Sequence, residues 1–208
     1  MLIAVDGPAA SGKGTIAKAL AAHFGLPHMD TGLLYRSVAL TLWRWGGDPG
    51  NVFEAVRACT ELGIGAEDPE LRSEAVSQIA SKISVYPAVR AALIKRQQAF
   101  AAQAGGAVLD GRDIGSVIAP DATVKLFVTA SPAVRARRRL AEYAERGMAA
   151  EFDEVLADIK ARDARDTERR AAPLTQAGDA IALDTSEMDR DQAIAEAIRL
   201  TQEKLAKP

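Results

Sequence analysis

The chain has 208 residues, 48% of them hydrophobic and 26% charged, with 26 basic side chains against 28 acidic ones and a net charge of −2. That length suffices for one sizeable core, and the near-neutral balance excludes an overall field that would recruit nucleic acid or an anionic membrane, so any grip on an anion must come from local clusters. A single cysteine, Cys59, excludes a disulfide framework and a C-x-x-C site, while the apolar start is cut short by Asp6 and Gly7, far below the ~20 apolar residues of a membrane span, so a soluble cytoplasmic protein is expected.

Leu2–Asp6 is a continuous apolar run ending before a glycine, the pattern of a strand covered on both faces. Lys13–Phe24 spaces Ile16, Leu20 and Phe24 by four, on one face of a first helix. Residues 33–45, 52–62, 69–85 and 88–103 carry helical patterning, and together they are too long for one crossover. They predict a helical arm standing off the sheet over about 31–105. Trp43 and Trp45 lie two apart and cannot share a helical face, so at least one is expected to pack in the hinge. Residues 107–110, 124–128 and 180–184 read as further short strands. Ser131 and Pro132 form an N-cap with proline at the first helical position, opening a helix that Gly147 ends. Residues 151–170 are strongly charged, and 188–204 close the chain as an amphipathic helix. Short apolar strands alternating with helices predict an α/β fold, a parallel sheet of about five strands wrapped by helices.

Gly7-Pro8-Ala9-Ala10-Ser11-Gly12-Lys13-Gly14-Thr15 joins the first strand to the first helix, the context of a P-loop. Its glycines let successive N–H groups turn inward, and the helix N-terminus adds partial positive charge where the β- and γ-phosphates of ATP would lie. Lys13 supplies a mobile charge for the transferring group. The strict pattern has Ser or Thr directly after the lysine; here Gly14 intervenes, so Thr15 is the candidate Mg²⁺ ligand, directly or through water. A switch GTPase would carry N-K-x-D, and Asn51 is the only asparagine, which excludes that class.

Arginines recur in separated clusters: Arg36, Arg90, Arg112, then Arg135 with Arg137, Arg138 and Arg139, then Arg162, Arg165, Arg169 and Arg170. Guanidinium forks match phosphate geometry, so a triphosphate and a second, acceptor phosphate would account for so many. Arg162, Arg165 and Arg169 fall at helical spacings with Asp166 interleaved, either as one functional face or as a solvated, salt-bridged helix. Asp110, at a strand end, is open between holding a Mg²⁺ water and capping the strand. His23 and His28 lie outside every motif and are expected to pack or to sit at the surface.

Four segments come in order along nearly the whole chain: Asp30-Thr31-Gly32-Leu33-Leu34-Tyr35-Arg36; Ser81-Lys82-Ile83 with Tyr86-Pro87-Ala88-Val89-Arg90; Gly111-Arg112-Asp113-Ile114-Gly115; and Ala161-Arg162-Asp163-Ala164-Arg165-Asp166-Thr167-Glu168-Arg169. In these the chain resembles the bacterial cytidylate kinases, a nucleoside monophosphate (NMP) kinase family. The resemblance implies ATP-dependent, Mg²⁺-assisted phosphorylation of CMP and dCMP by a monomer. It also implies one P-loop kinase domain, with its core at 1–30, 106–142 and 171–208, an NMP-binding arm at about 31–105 and an arginine-rich lid at about 143–170. Lys13, Arg112 and Arg162 would serve the transfer, and Arg36, Arg112 and Arg162 would hold the acceptor phosphate. Ser81, Arg90 and Asp113 would read the cytosine edge, Asp166 would bind the sugar hydroxyl with Arg169 nearby, Thr31 would line the CMP site, and Arg138 would join residues 7–15 at ATP.

The chemistry suits that set. Cytosine offers an amine donor beside ring-nitrogen and carbonyl acceptors, and uracil would set a carbonyl against the carboxylate, leaving buried groups unpaired. The acceptor phosphate, with a second pKa of about 6, is mostly dianionic at neutral pH and needs no general base. Many bacterial members insert a small strand-rich lobe in the arm; residues 46–68 are short and punctuated by Gly63-Ile64-Gly65, so a reduced lobe is expected. The alternatives are a kinase of the same fold for UMP, AMP or shikimate, and a regulatory module that holds ATP without transfer.

Overall fold

The computed structural model describes residues 1–61 and 68–206, so the reduced lobe expected around Gly63-Ile64-Gly65 lies outside the described residues. Five strands form one sheet: β1 (Leu2–Asp6), β2 (His28–Asp30), β3 (Ala107–Gly111), β4 (Val124–Thr129) and β5 (Ile181–Asp184). Their order is β2-β3-β1-β4-β5 and every pairing is parallel. The continuous apolar runs of β1 and β3 follow from that position, since an inner parallel strand is covered on both faces. Burial of Ile3, Val5, Val108, Leu126 and Val128 against Ile16 and Leu20 of α1 (Lys13–Phe24) builds the core on one side. Ala4, Leu109, Ile114 and Ile118 build it on the other.

β2 has only three half-buried residues, His28, Met29 and Asp30, and no pattern that identifies a strand. Pairing with β3 makes it one, with His28 opposite Val108 and Asp30 opposite Asp110. Asp6 is likewise opposite Gly111, so the loops leaving β1 and β3 emerge side by side at the carboxyl edge of the sheet. In open α/β sheets that edge is where ligands bind.

Between β2 and β3 run α2 (Thr31–Arg44), α3 (Val52–Ala58), α4 (Glu74–Ile83) and α5 (Pro87–Ala101). They enclose a second core of Val38, Leu40, Leu42, Leu71, Val76, Ile83 and Leu93. The helix expected over 69–85 is broken. A 3-10 turn at Pro69–Arg72 precedes α4, and Ser73, extended at φ −66° and ψ 154°, caps α4 by accepting from the Val76 N–H at 3.3 Å. The expectation for the tryptophans is also corrected: Trp43 and Trp45 are 44% and 41% exposed, and the Arg57 guanidinium lies 5.1 Å from the Trp45 ring centroid.

After β4 come α6 (Pro132–Glu145) and α7 (Phe152–Glu168), packed through Ala136, Val155 and Ile159, and the chain closes with α8 (Arg190–Ala206). α7 stops at Glu168, leaving Arg169 extended at φ −60° and ψ 137° rather than on a helical face shared with Arg162 and Arg165.

Candidate active site

The loop after β1 is held by close approach. A Cβ on Gly7 would lie 2.0 Å from the Val128 carbonyl oxygen, so only glycine lets the chain pass the end of β4. Gly12, at φ 89°, is the N-cap of α1, and the helix starts at Lys13, which aims its first unpaired N–H groups at the loop. The Ser11 hydroxyl is buried without a partner. Lys13 Nζ donates to the Pro8 carbonyl at 3.3 Å. Burial, with the Arg112 charge adding to it against Asp110 and Asp30, pushes the Lys13 ammonium down to about 7.

Asp6 ties this loop to the one after β3. Its two carboxylate oxygens accept from the backbone N–H groups of Ile114 at 2.8 Å and Gly115 at 2.7 Å, at the start of a π-turn over Ile114–Ile118. Burial raises the Asp6 carboxyl to about 6, against the pull of those two bonds. Thr31 Oγ1 donates to the Asp110 carbonyl at 2.8 Å, fixing the start of α2 against β3. Asp110 is itself buried, with Oδ1 2.8 Å from His28 Nε2, so half-buried His28 takes a packing role behind that carboxylate, as expected for it. His23 stays at the surface, 3.2 Å from the Gln202 side-chain nitrogen.

A pocket of about 180 Å³ opens where these loops meet the arm and α7; seven cationic side chains line it, Lys13, Arg36, Arg72, Arg90, Arg112, Arg162 and Arg169, with four carboxylates, Asp30, Asp110, Asp113 and Asp166. The excess of positive charge suits a polyanion. Arg36 donates to the Leu71 carbonyl at 3.0 Å and the Ser77 hydroxyl at 3.3 Å, and Arg162 donates to the same hydroxyl at 3.0 Å. Arg162 Nε is buried without a partner, and burial with neighbouring Arg112 pushes its guanidinium down to about 9. Arg112 Nε donates to Asp166 at 2.7 Å. Asp113 accepts from Arg90 and, at 3.3 Å, from Arg169. The Tyr35 ring, 5.9 Å from the Arg90 guanidinium, is a further wall of this pocket.

Ser81 is buried but does not line the pocket; its hydroxyl accepts from Arg165 Nε at 3.2 Å. A second pocket, of about 340 Å³, is lined by Ala10, Ser11, Gly12, Thr15 and Arg138. Arg138 donates to the Ser11 carbonyl at 3.2 Å and the Thr185 carbonyl at 2.7 Å. Residues 7–15 therefore divide, with Lys13 and Gly14 facing the arginine-rich pocket and Gly12 and Thr15 facing the other, while Gly7, Pro8 and Ala9 are buried beneath. No role for Ser77, Tyr35 or Asp6 was read from the sequence, although Asp6 ends an apolar strand and Tyr35 lies in the Asp30–Arg36 segment; Ser77 had no signal.

The cytidylate kinase model matches residues 3–203. The chain belongs to the cytidylate kinase family. Cytidylate kinases of Rhodopseudomonas palustris (strain BisB5) and Azorhizobium caulinodans are 54% and 53% identical to it over 203 residues, covering 97% of this chain and 96% and 98% of those relatives. A solved structure of an uncharacterized protein from Eubacterium ventriosum superposes with a TM-score of 0.59 at 16% identity, over 98% of both chains, a likeness in fold. The matched residues include both loops, the helices between β2 and β3, and α7.

Proposed function

We propose that the protein transfers the γ-phosphoryl group of ATP to CMP and dCMP, giving ADP with CDP or dCDP. One observation carries this reading: the phosphate loop is the common wall of two pockets, one lined by Thr15 and Arg138 and the other by seven cationic side chains. Direct transfer requires donor and acceptor on either side of the moving group, and that partition provides it. ATP lies with its phosphates on residues 7–15 and its far end beside Arg138. Arg36, Arg112 and Arg162 hold the acceptor phosphate, Asp113 with Arg90 reads the base, Asp166 with Arg169 takes the sugar, and Thr31 fixes the loop beneath. Ser81 reaches the base only if Arg165 releases its hydroxyl.

No base is needed, because the acceptor arrives as a dianion. Catalysis rests on position and on neutralising charge, in a site whose desolvation is already visible in the depressed Lys13 and Arg162. A bound triphosphate restores the Lys13 charge. The hard oxygen donors at hand, the Thr15 hydroxyl and the Asp110 carboxylate, suit Mg²⁺. Thr15 would hold it directly or through water, and the ion would supply charge neutralisation on the phosphate oxygens.

The arm (31–105) and the lid (143–170) close over the core, with α6 running unbroken into the lid. The protein works on small nucleotides as a monomer in the cytoplasm; no described helix is long and apolar enough to cross a membrane. The test is a coupled ADP-release assay with ATP, Mg²⁺ and a panel of CMP, dCMP, UMP, AMP, GMP and shikimate. Fast turnover confined to CMP and dCMP is expected. Faster turnover on another acceptor overturns the base assignment, and ATP binding without turnover on any overturns the transferase.

A further inference from the structure

Arg135 is a buried arginine that lines neither substrate pocket. It is 3% exposed, inside α6, and each of its guanidinium nitrogens is engaged by the protein itself. Nε donates to the Ala130 carbonyl at 2.8 Å, where β4 turns into α6. Nη1 donates to the Ala9 carbonyl in the phosphate loop at 3.3 Å. The other side of the fork meets both carboxylate oxygens of Asp163 on α7, at 2.9 Å and 2.6 Å. One side chain thus joins the sheet, the phosphate loop and α7, through the bidentate geometry that only arginine offers.

Two consequences follow from what it holds. The peptide between Ala9 and Ala10 is planar, so fixing the Ala9 carbonyl fixes the Ala10 N–H on the opposite side, and Ala10 itself sits at φ 57°, a conformation a non-glycine residue keeps only when its surroundings impose it. On α7, Asp163 lies between Arg162 and Asp166; successive helical residues are turned by about 100°, so Asp163 meets α6 while Arg162 and Asp166 face the acceptor pocket. Among the described residues Ala136, Val155 and Ile159 are buried in the α6–α7 contact, with partly buried Leu140, Tyr143, Phe152 and Leu156 packed against them, and Arg135–Asp163 is the ion pair that crosses it.

We propose that Arg135 and Asp163 are a positioning pair that registers α7, and with it Arg162 and Asp166, on the phosphate loop. The pair touches no substrate and acts through what it aligns. It rests on the transferase reading above and adds to it the part that makes lid placement depend on the state of the loop. In nucleotide-bound protein, a loop correctly formed around ATP presents the Ala9 carbonyl to Arg135, and α7 is held where Arg162 meets the transferring group.

The test uses Asp163→Asn, Arg135→Gln, the conservative Arg135→Lys and the double variant Arg135→Gln/Asp163→Asn in the full chain. Asp163 is partly exposed, so Asp163→Asn leaves the core intact. Misplacement by about 1 Å costs on the order of 100-fold, so Asp163→Asn is expected to lower kcat roughly 10- to 100-fold while KM for CMP and ATP moves less than about threefold. ADP released per CDP formed should rise above one, because water enters a site that no longer closes in register. Arg135→Lys should recover part of kcat, and the double variant should be no slower than the slower single. Unchanged kcat and coupling ratio well below the melting temperature, with only the melting temperature lowered, would make the pair merely structural and overturn the proposal, as would strictly multiplicative losses. Turnover of the unaltered protein, measured alongside, tests the transferase reading separately.

Discussion

Replacing Asp113 by asparagine keeps the shape of the side chain and removes its charge. Asp113 is 5% exposed and faces two arginines, Arg90 from the arm and Arg169 from the end of α7. Taking away one member of a buried ionic group leaves the remainder uncompensated and costs about 3–5 kcal/mol. For a domain of this size each kcal/mol lowers Tm by about 2–4 °C, so a fall of roughly 6–20 °C is expected in a thermal melt of the free protein. The kinetic effect is separable. If the carboxylate takes the cytosine amine, its loss leaves that donor poorly paired and lowers kcat/KM for CMP by about 5- to 150-fold, the equivalent of 1–3 kcal/mol. UMP, which sets a carbonyl at that place, loses less or gains, and KM for ATP stays where it was. A coupled ADP-release assay with both acceptors reads the ratio directly. An unchanged Tm refutes the electrostatic argument, and equal losses on CMP, UMP and ATP refute the base-reading role.

Lys13→Met is expected to lower kcat by about 10²–10³-fold, as loss of a charge on the transferring group does elsewhere, measured at saturating nucleotides. Because Lys13 is pushed down to about 7, the folded protein binds fewer protons than the unfolded chain between about pH 7 and 10.5, and this residue makes stability rise with pH across that window. ATP should drive proton uptake near pH 8, seen as buffer-dependent binding heats that vanish in Lys13→Met. Asp6 titrates in the opposite sense. Raised from 3.8 to about 6, its carboxyl binds more protons folded than unfolded, so its contribution falls as pH rises from 4 to 6, and Asp6→Asn should flatten that part of the Tm profile. Parallel profiles for the two proteins would count against the burial argument. Gly7→Ala puts a Cβ 2.0 Å from the Val128 carbonyl, and overpacking of this kind costs about 1–3 kcal/mol, so a lowered Tm and a raised KM for ATP are expected, and wild-type values for both would remove the close approach as the reason for glycine.

Much of the local order was legible along the chain. The inner strands, α1 and the capped start of α6 were read from apolar runs and end signals that depend on neighbours a few residues away. The phosphate loop was equally plain, since its glycines, lysine and following helix are contiguous. Where the pattern depended on distant partners, reading stopped. β2 is a strand because β3 lies beside it, and Ser81 turned toward Arg165 on α7 instead of into the pocket, whereas the break at Ser73 is local, a cap on the Val76 N–H that periodicity does not register.

By itself the sequence determined which residue types could meet a phosphate and in what order along the chain. The tertiary structure decided which of them meet. Parallel register at the carboxyl edge sets Asp6 opposite Gly111 and Asp30 opposite Asp110, and from that alignment comes the carboxylate that grips Ile114 and Gly115, while the pairing of β4 with β1 brings the start of α6 beside the phosphate loop, where the arginine fork joins Ala9 to Asp163. Such pairs carry no local signature, because a hydrogen bond between residues a hundred positions apart depends only on where the fold has already brought their backbones.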